Sequence, residues 1–299
     1  MKNSLKALGL VAFGVASAAS YAQNTTAILT TADGHLFHYG SSSTSATTTM
    51  PTLTTGAPPS SAFRIASTPT YVRHAFNYGW HYRVGADTRE RAVANMTSRT
   101  LTGTNQVDYT ADMVGAGGTA VAGLTLSMRL KLVSFGVNSA RLESTMVVTN
   151  NSTAVQSVDL FAVSDMDLGT SSGNVVAPLM INPGFRQLTV THPSATGGPW
   201  LAKFIGIRAD GSGSGGFSAV NGQMSDTGID NFIPDLNPGG QVAGDWAEVM
   251  QWRNGQLAVG ASMTAVNYVE IAGAGQPVPE PGSILALGLG AVALLRRKK

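Results

Sequence analysis

Two clusters in this chain combine residue types and spacing that could do chemistry. Asp165 and Asp167 stand two positions apart, so an extended loop would turn both carboxylates to one side, as oxygen-ligand calcium sites do. No cofactor is expected, and calcium at this pair is the less favoured reading. The loop lacks the twelve-residue EF-hand spacing and its closing bidentate Glu. The competing reading is that both aspartates are solvated or cap turns by bonding their own backbone. Asp226, Asp230 and Asp235 would add oxygens only if the fold brings them to the same place. In the second cluster, Tyr71, Phe76, Tyr78, Trp80 and Tyr82 crowd together beside Arg73, His74, His81 and Arg83. Flat rings beside hydrogen-bond donors are how proteins stack on sugars, which makes Tyr78, Trp80 and Tyr82 the candidate sugar-binding set. Alternating aromatic residues on a strand are more often half-buried cross-strand pairs, so sugar binding is the less favoured reading.

Other reactive patterns lead nowhere. The five histidines are His35, His38, His74, His81 and His192. His35 and His38 at spacing three would point to opposite faces of a strand and match no zinc signature. Neither His-Glu-x-x-His nor Gly-x-Ser-x-Gly occurs, so two common hydrolase motifs are missing. Gly211, Gly213 and Gly216 satisfy a Gly-x-Gly-x-x-Gly spacing, but without a βαβ context they read as a glycine-serine hairpin loop. No catalytic residue is assigned, and the chain is expected not to be an enzyme.

The elements that must position these residues read as strands. Leu124, Leu126, Met128, Leu130 and Leu132 alternate with Thr125, Ser127, Arg129 and Lys131, placing one parity in a core and the other in solvent. Leu142, Met146 and Val148 alternate in the same way with Arg141, Glu143 and Thr145, and Trp246, Met250 and Trp252 with Ala247, Val249 and Gln251. Residues 158–164, 201–208 and 262–271 are further strands, rich in branched or aromatic side chains. Turn punctuation is dense: Gly117-Gly118, Asn150-Asn151, Gly197-Gly198 and Pro238-Gly239-Gly240. No apolar 3.6 period persists for three turns between residues 23 and 280. The expectation is an all-β chain, an antiparallel β-sandwich. Residues 41–61, packed with Ser, Thr, Pro and Ala, read as an exposed loop, with O-linked sugar as the less favoured alternative.

Both ends differ from this body. Lys2 and Lys6 precede an apolar, small-residue run from Ala7 to Ala19, and Ser20-Tyr21-Ala22 places small residues three and one before Gln23. That is a signal peptide over 1–22, cleaved between Ala22 and Gln23. The other end runs Pro279-Glu280-Pro281, then an unbroken apolar stretch from Ile284 to Leu295, then Arg296, Arg297, Lys298 and Lys299. The prolines bar helix before the stretch. A helix of its twelve residues rises about 18 Å against a hydrocarbon core of roughly 30 Å, which suits a temporary stop. The basic end stays cytoplasmic by the positive-inside tendency, leaving everything before it outside.

Setting the ends aside inverts the charge. The chain carries 19 Lys+Arg against 17 Asp+Glu, a net of +2, but six of the basic residues lie in the two ends, so residues 23–280 hold 13 against 17, a net of −4. An acidic body without clustered Lys/Arg excludes nucleic acid as a partner. There is no cysteine, so an exported fold of this size relies on its core rather than on disulfides.

The C-terminal end resembles the PEP-CTERM sorting signal of exported Gram-negative bacterial proteins. The resemblance is carried by Pro279, Glu280 and Pro281, the apolar run, and Arg296 and Arg297 with the lysines after them. It implies processing near the motif by the membrane protease-transpeptidase exosortase, then release or attachment at the cell surface. A second resemblance joins Val148 to Ser152, Val158 to Phe161, Asp165 to Gly169, Gly244 to Trp246, Gln251-Trp252 and Leu257 to Gly260 to β-sandwich domains of such proteins.

The expected organisation is a signal peptide at 1–22, a β-sandwich surface domain at 23–275, and a sorting signal at 276–299 with a short apolar helix. Expected partners are the Sec translocon, exosortase, the inner membrane in transit and extracellular polysaccharide. The leading role is a non-enzymatic cell-surface or extracellular-matrix protein supporting biofilm or flocs. A carbohydrate-binding module comes second and a glycan-acting hydrolase third.

Overall fold

The computed structural model describes residues 27–39, 61–66, 74, 77–87, 91–93, 96–115, 119–166, 168–170, 174–177, 180–182, 184–192, 199–207, 214–221, 242–244 and 246–273. The signal peptide, the Ser/Thr-rich stretch at 41–60, and the apolar and basic tail lie outside them. Among the described residues no helix is long and apolar enough to cross a membrane.

Strands account for nearly all of the regular structure. The first six are β1 (Ala27–Thr30), β2 (Leu36–Tyr39), β3 (Ser61–Arg64), β4 (Asn77–Val84), β5 (Arg91–Ala92) and β6 (Met96–Thr102). Then come β7 (Gln106–Val114), β8 (Ala120–Ser134), β9 (Ser139–Asn150), β10 (Gln156–Asp165), β11 (Asn174–Val176) and β12 (Met180–Asn182). The last six are β13 (Phe185–His192), β14 (Trp200–Ile207), β15 (Ser214–Asn221), β16 (Val242–Gly244), β17 (Trp246–Leu257) and β18 (Ser262–Gly273). Among the described residues one 3₁₀ turn spans Leu168–Thr170.

These strands form three sheets. The largest has the order β16-β11-β13-β14-β18-β9-β8-β7-β6, with β12 also on β13. The second is β15-β17-β10-β4-β5 and the third β1-β2-β3. Every ladder is antiparallel. The last strand, β18, is central: it pairs through residues 262–272 with β9 on one side and through residues 266–273 with β14 on the other.

Period two explains the large sheet. In β8, Leu124, Leu126, Met128, Leu130 and Leu132 are all buried while Thr125, Ser127 and Arg129 are exposed. The neighbours repeat the pattern through Val107 and Tyr109 on β7, Leu142, Met146 and Val148 on β9, and Met263, Ala265, Val269 and Ile271 on β18. Burying this stripe removes apolar surface from water at roughly 25 cal/mol per Å², which sets the register because a slip of one residue would expose it.

Strands β10 and β17 depart from simple alternation. Phe161 and Val163 are as buried as Leu160 and Ala162, and Val249 and Gln251 as buried as Met250 and Trp252. The glycine-serine run also differs from the expected loop. Ser214, Gly215 and Gly216 open β15 and pair in register with Arg253, Trp252 and Gln251, because the backbone ladder needs no side chain. At the turn after β9, buried Asn150 donates from Nδ2 to the carbonyls of Ala154 (2.9 Å) and Leu257 (2.8 Å), and its Oδ1 accepts from the Ser152 N–H (3.0 Å).

Candidate functional site

The aromatic cluster of β4 lies inside the molecule. Tyr78, Trp80 and Tyr82 share one face of the strand by period two and are 1%, 0% and 4% exposed. Their polar tips reach across to the large sheet. Trp80 Nε1 donates to Ser144 Oγ on β9 at 2.5 Å, and the Tyr78 hydroxyl donates to Asn267 Oδ1 on β18 at 3.0 Å. The Tyr82 hydroxyl accepts from the Val114 N–H on β7 at 2.8 Å. From β17, Trp252 Nε1 donates to the Ile207 carbonyl on β14 at 2.9 Å, and its ring lies 5.2 Å from that of Trp80. The third sheet joins the same core through Phe37, edge-on to Tyr78 at 5.9 Å, and Tyr39, 5.7 Å from Tyr109. These rings fasten sheet to sheet. The sugar-stacking reading of Tyr78, Trp80 and Tyr82 is therefore corrected: buried faces leave no platform for a sugar, and the cross-strand alternative is the one the burial supports. Burial pushes the Tyr78 and Tyr82 hydroxyls above the ordinary phenol range.

Asp165 ends β10, its backbone paired with Asn77 on β4 and Ala247 on β17. Asp167 lies outside the described residues, as do Asp226, Asp230 and Asp235. Among the described residues no group of three His, Asp or Glu is placed to hold a metal ion. The proposed cleavage point at Ala22 and Gln23 and the residues Pro279, Glu280, Pro281, Arg296 and Arg297 also fall outside.

The histidines that are described are all buried. His35 bonds the Gly136 carbonyl through Nε2 (2.8 Å) and accepts the Ala66 N–H at Nδ1 (3.0 Å), tying the three-stranded sheet to the β8–β9 turn. His74 accepts the Gly169 N–H at Nδ1 (3.2 Å) and packs 4.2 Å from the Trp200 ring. Burial holds its pKa down at about 3, so it is a neutral core residue at physiological pH.

Two features escaped the sequence reading. The first is a charged cluster on the outer face of β9 and β18. Arg141, expected in solvent, is only 7% exposed. Its guanidinium lies 4.8 Å from the rings of both Phe135 and Tyr268. It donates from Nη2 to Glu143 Oε1 at 2.7 Å and from Nη1 to Glu270 Oε1 at 3.1 Å. The planar ion stacks and pairs at once, which an ammonium would not do. Lys203 on β14 stands opposite Glu270 in the register. Burial raises the Glu270 pKa, and Arg141 pulls it back only in part. The spacing of Arg141 and Glu143 was the available signal, but Tyr268 and Glu270 lie over a hundred residues away.

The second is an open trough of about 300 Å³ over β6, β7, β8 and β9, lined by Ser98, Thr100, Asp108, Thr110, Ser127 and Arg129 among others. Arg129 Nε bonds Asp108 Oδ1 at 2.6 Å across its floor. Ser98 and Thr110 share a 2.6 Å hydroxyl contact. Such hydroxyls both donate and accept, so the trough can hydrogen-bond a polyhydroxylated chain.

Comparison with known proteins adds the following. Residues 277–299 match the family described as PEP-CTERM protein-sorting motif, so the C-terminus carries that motif, the signature of an exosortase substrate. The motif begins four residues after β18 ends at Gly273. No curated protein matches the chain. Among solved structures, the chain is similar to a GH92-family glycosyl hydrolase, CcMan5, at 8% identity and a TM-score of 0.38. The alignment covers 82% of this chain and 30% of that one, a likeness too slight to establish a shared fold.

Proposed function

We propose that this is an exported, non-enzymatic protein of the cell surface or extracellular matrix. A β-sandwich body over 23–275 is carried out through the Sec translocon by a signal peptide at 1–22. It is held briefly in the inner membrane by the tail and processed there by exosortase. Biofilm or floc structure is the role it supports. The observation that carries this reading is the sorting motif at 277–299, placed directly behind the strand that completes the large sheet. The body's own polar groups fit a structural part: Ser144, Asn267 and Asn150 are spent on joining sheets and turns.

The experiment is to change Pro279, Glu280 and Pro281 together to alanine in the native host. The variant is expected to accumulate unprocessed in the inner-membrane fraction. Arrival in the medium at wild-type size and yield would rule sorting out. A second reading, binding of extracellular polysaccharide, is favoured by the hydroxyl-lined trough around Arg129 and Asp108. Retention on polysaccharide that is lost in Arg129→Ala, with the melting temperature kept, would support it; equal retention would not.

A further inference from the structure

The largest sheet ends, among the described residues, in two unlike edges. At one, β16 is three residues long and lies on the three-residue β11, and so short an edge offers little to another chain. At the other, β6 runs for seven residues and pairs with β7 alone. Its one irregularity comes at the start, between Met96 and Ser98. Residues 98–102 therefore form a regular stretch with backbone N–H and C=O groups turned outward, unguarded by proline or lysine.

The side chains of this edge also look unfinished. Opposed residues of an antiparallel ladder share a face, and Leu101 and Arg99 stand opposite Val107 and Tyr109, which are both buried in the core. Leu101 is nevertheless 50% exposed, because no described strand lies beyond it. Val137, Val155 and Val259 are exposed to a similar degree, but they lie outside the strands. Leu101 sits on the core side of an open ladder. On the outer side Ser98, Thr100 and Thr102 are exposed, and the first two line the trough.

The sequence of the edge says what fits it. A two-fold axis normal to the sheet would lay β6 antiparallel against β6 of a second copy. Centred on Arg99, that pairing opposes two guanidinium groups, which is unfavourable. Centred on Ser98 or Leu101, it runs into the irregularity or the β6–β7 turn. Centred on Thr100, it sets Thr100 against Thr100, Ser98 against Thr102 and Arg99 against Leu101. Hydroxyls then meet hydroxyls on the outer face, and Leu101 lies along an arginine stem on the core face. The stretch is its own complement.

We propose that β6 is a self-association edge that joins two copies of this chain, antiparallel about Thr100. The sheet continues from one body into the other, and the two hydroxyl-lined troughs adjoin. An edge of five residues makes a small contact, at the low end of specific interfaces. The dimer is therefore reversible and gathers where the protein is concentrated, whether or not the tail has been removed.

The test follows the full chain in detergent by sedimentation velocity over rising concentration. Leu101→Lys sets an ammonium beside the second copy's Arg99, and Leu101→Glu sets a carboxylate there. Both change an exposed side chain, and equal melting temperatures establish that both variants fold. The parent is expected to show a monomer–dimer equilibrium that Leu101→Lys weakens by about tenfold or more and that Leu101→Glu keeps or tightens. The chain has no cysteine, so Thr100→Cys, on the axis, should close a disulfide between copies under mild oxidation. Thr125→Cys, exposed on the same face of β8, should form far less. A parent that stays monomeric at roughly 1 mM overturns the proposal. So does a dimer that Leu101→Lys leaves unchanged, that both Leu101 variants weaken equally, or that Thr100→Cys does not trap.

Discussion

Replacing Trp80 by alanine separates a structural role for the β4 aromatic cluster from a ligand-binding one. Trp80 has no solvent exposure. Its removal forfeits the burial of a full indole and leaves a cavity, together worth about 3–5 kcal/mol. It also strips Ser144 Oγ, itself buried, of its 2.5 Å donor, which adds about 1–3 kcal/mol if no other partner is found. The Trp252 ring loses its neighbour at 5.2 Å, about 0.5–1.5 kcal/mol and partly counted already. A loss of about 4–8 kcal/mol is a large part of the 5–15 kcal/mol that holds a domain together. At about 2–4 °C per kcal/mol for a chain of this size, melting should fall by about 8–32 °C. The assay is thermal unfolding followed by circular dichroism, with a cycle of Trp80→Phe, Ser144→Ala and the double variant to isolate the hydrogen bond at about 1 kcal/mol of coupling. A Trp80→Ala protein that melts within about 2 °C of the parent would refute the placement of this ring between the sheets.

Other outcomes follow from particular contacts. At Gly123 (φ +79°) an added Cβ would meet backbone atoms of Asn151 and Ser152 at 2.7 Å, whereas at Gly260 (φ +78°) it meets nothing within 4 Å. Gly260→Ala should cost only the left-handed strain of about 1–2 kcal/mol and Gly123→Ala clearly more; equal denaturation midpoints would contradict the turn geometry. His74 stays neutral in the fold with its pKa depressed to about 3 from 6.5, so the unfolded chain binds the extra proton between those values. Its contribution is fully present above pH 6.5 and is lost as pH falls toward 3, with a slope of up to about 1.4 kcal/mol per pH unit. The stability difference between the parent and His74→Asn should carry that slope, and a flat difference would sink the assignment. Arg141→Ala leaves Glu270 buried without its guanidinium and should cost about 3–5 kcal/mol. Adding Glu270→Gln should return part of it, and simple additivity in urea melts would show that the pair is not coupled.

How far the sequence reveals all this depends on whether a residue's surroundings are local. The leucines of β8 were legible because one face of that strand is wet, so alternation in the text matches alternation in burial. The same logic failed on β17, where Val249 and Gln251 are buried on the second face as well. Tyr78, Trp80 and Tyr82 were correctly grouped on one face. Whether that face met solvent or another sheet depended on Ser144, Val114 and Asn267, far along the chain. Arg141 was misplaced for the same reason, since Tyr268 and Glu270 reach it only once β9 and β18 pair. The sorting motif needed no fold at all, because proline, apolar length and terminal charge act in linear order, and it was found where the family match places it.

The central claim is that the apolar tail is a temporary address that is removed. Mass spectrometry of the protein collected from outside the native host tests it most directly. The account predicts a C-terminus at or near Pro279-Glu280-Pro281, with no peptide from the run Ile284 to Leu295. Recovery of extracellular protein that still ends in Lys299 would contradict it.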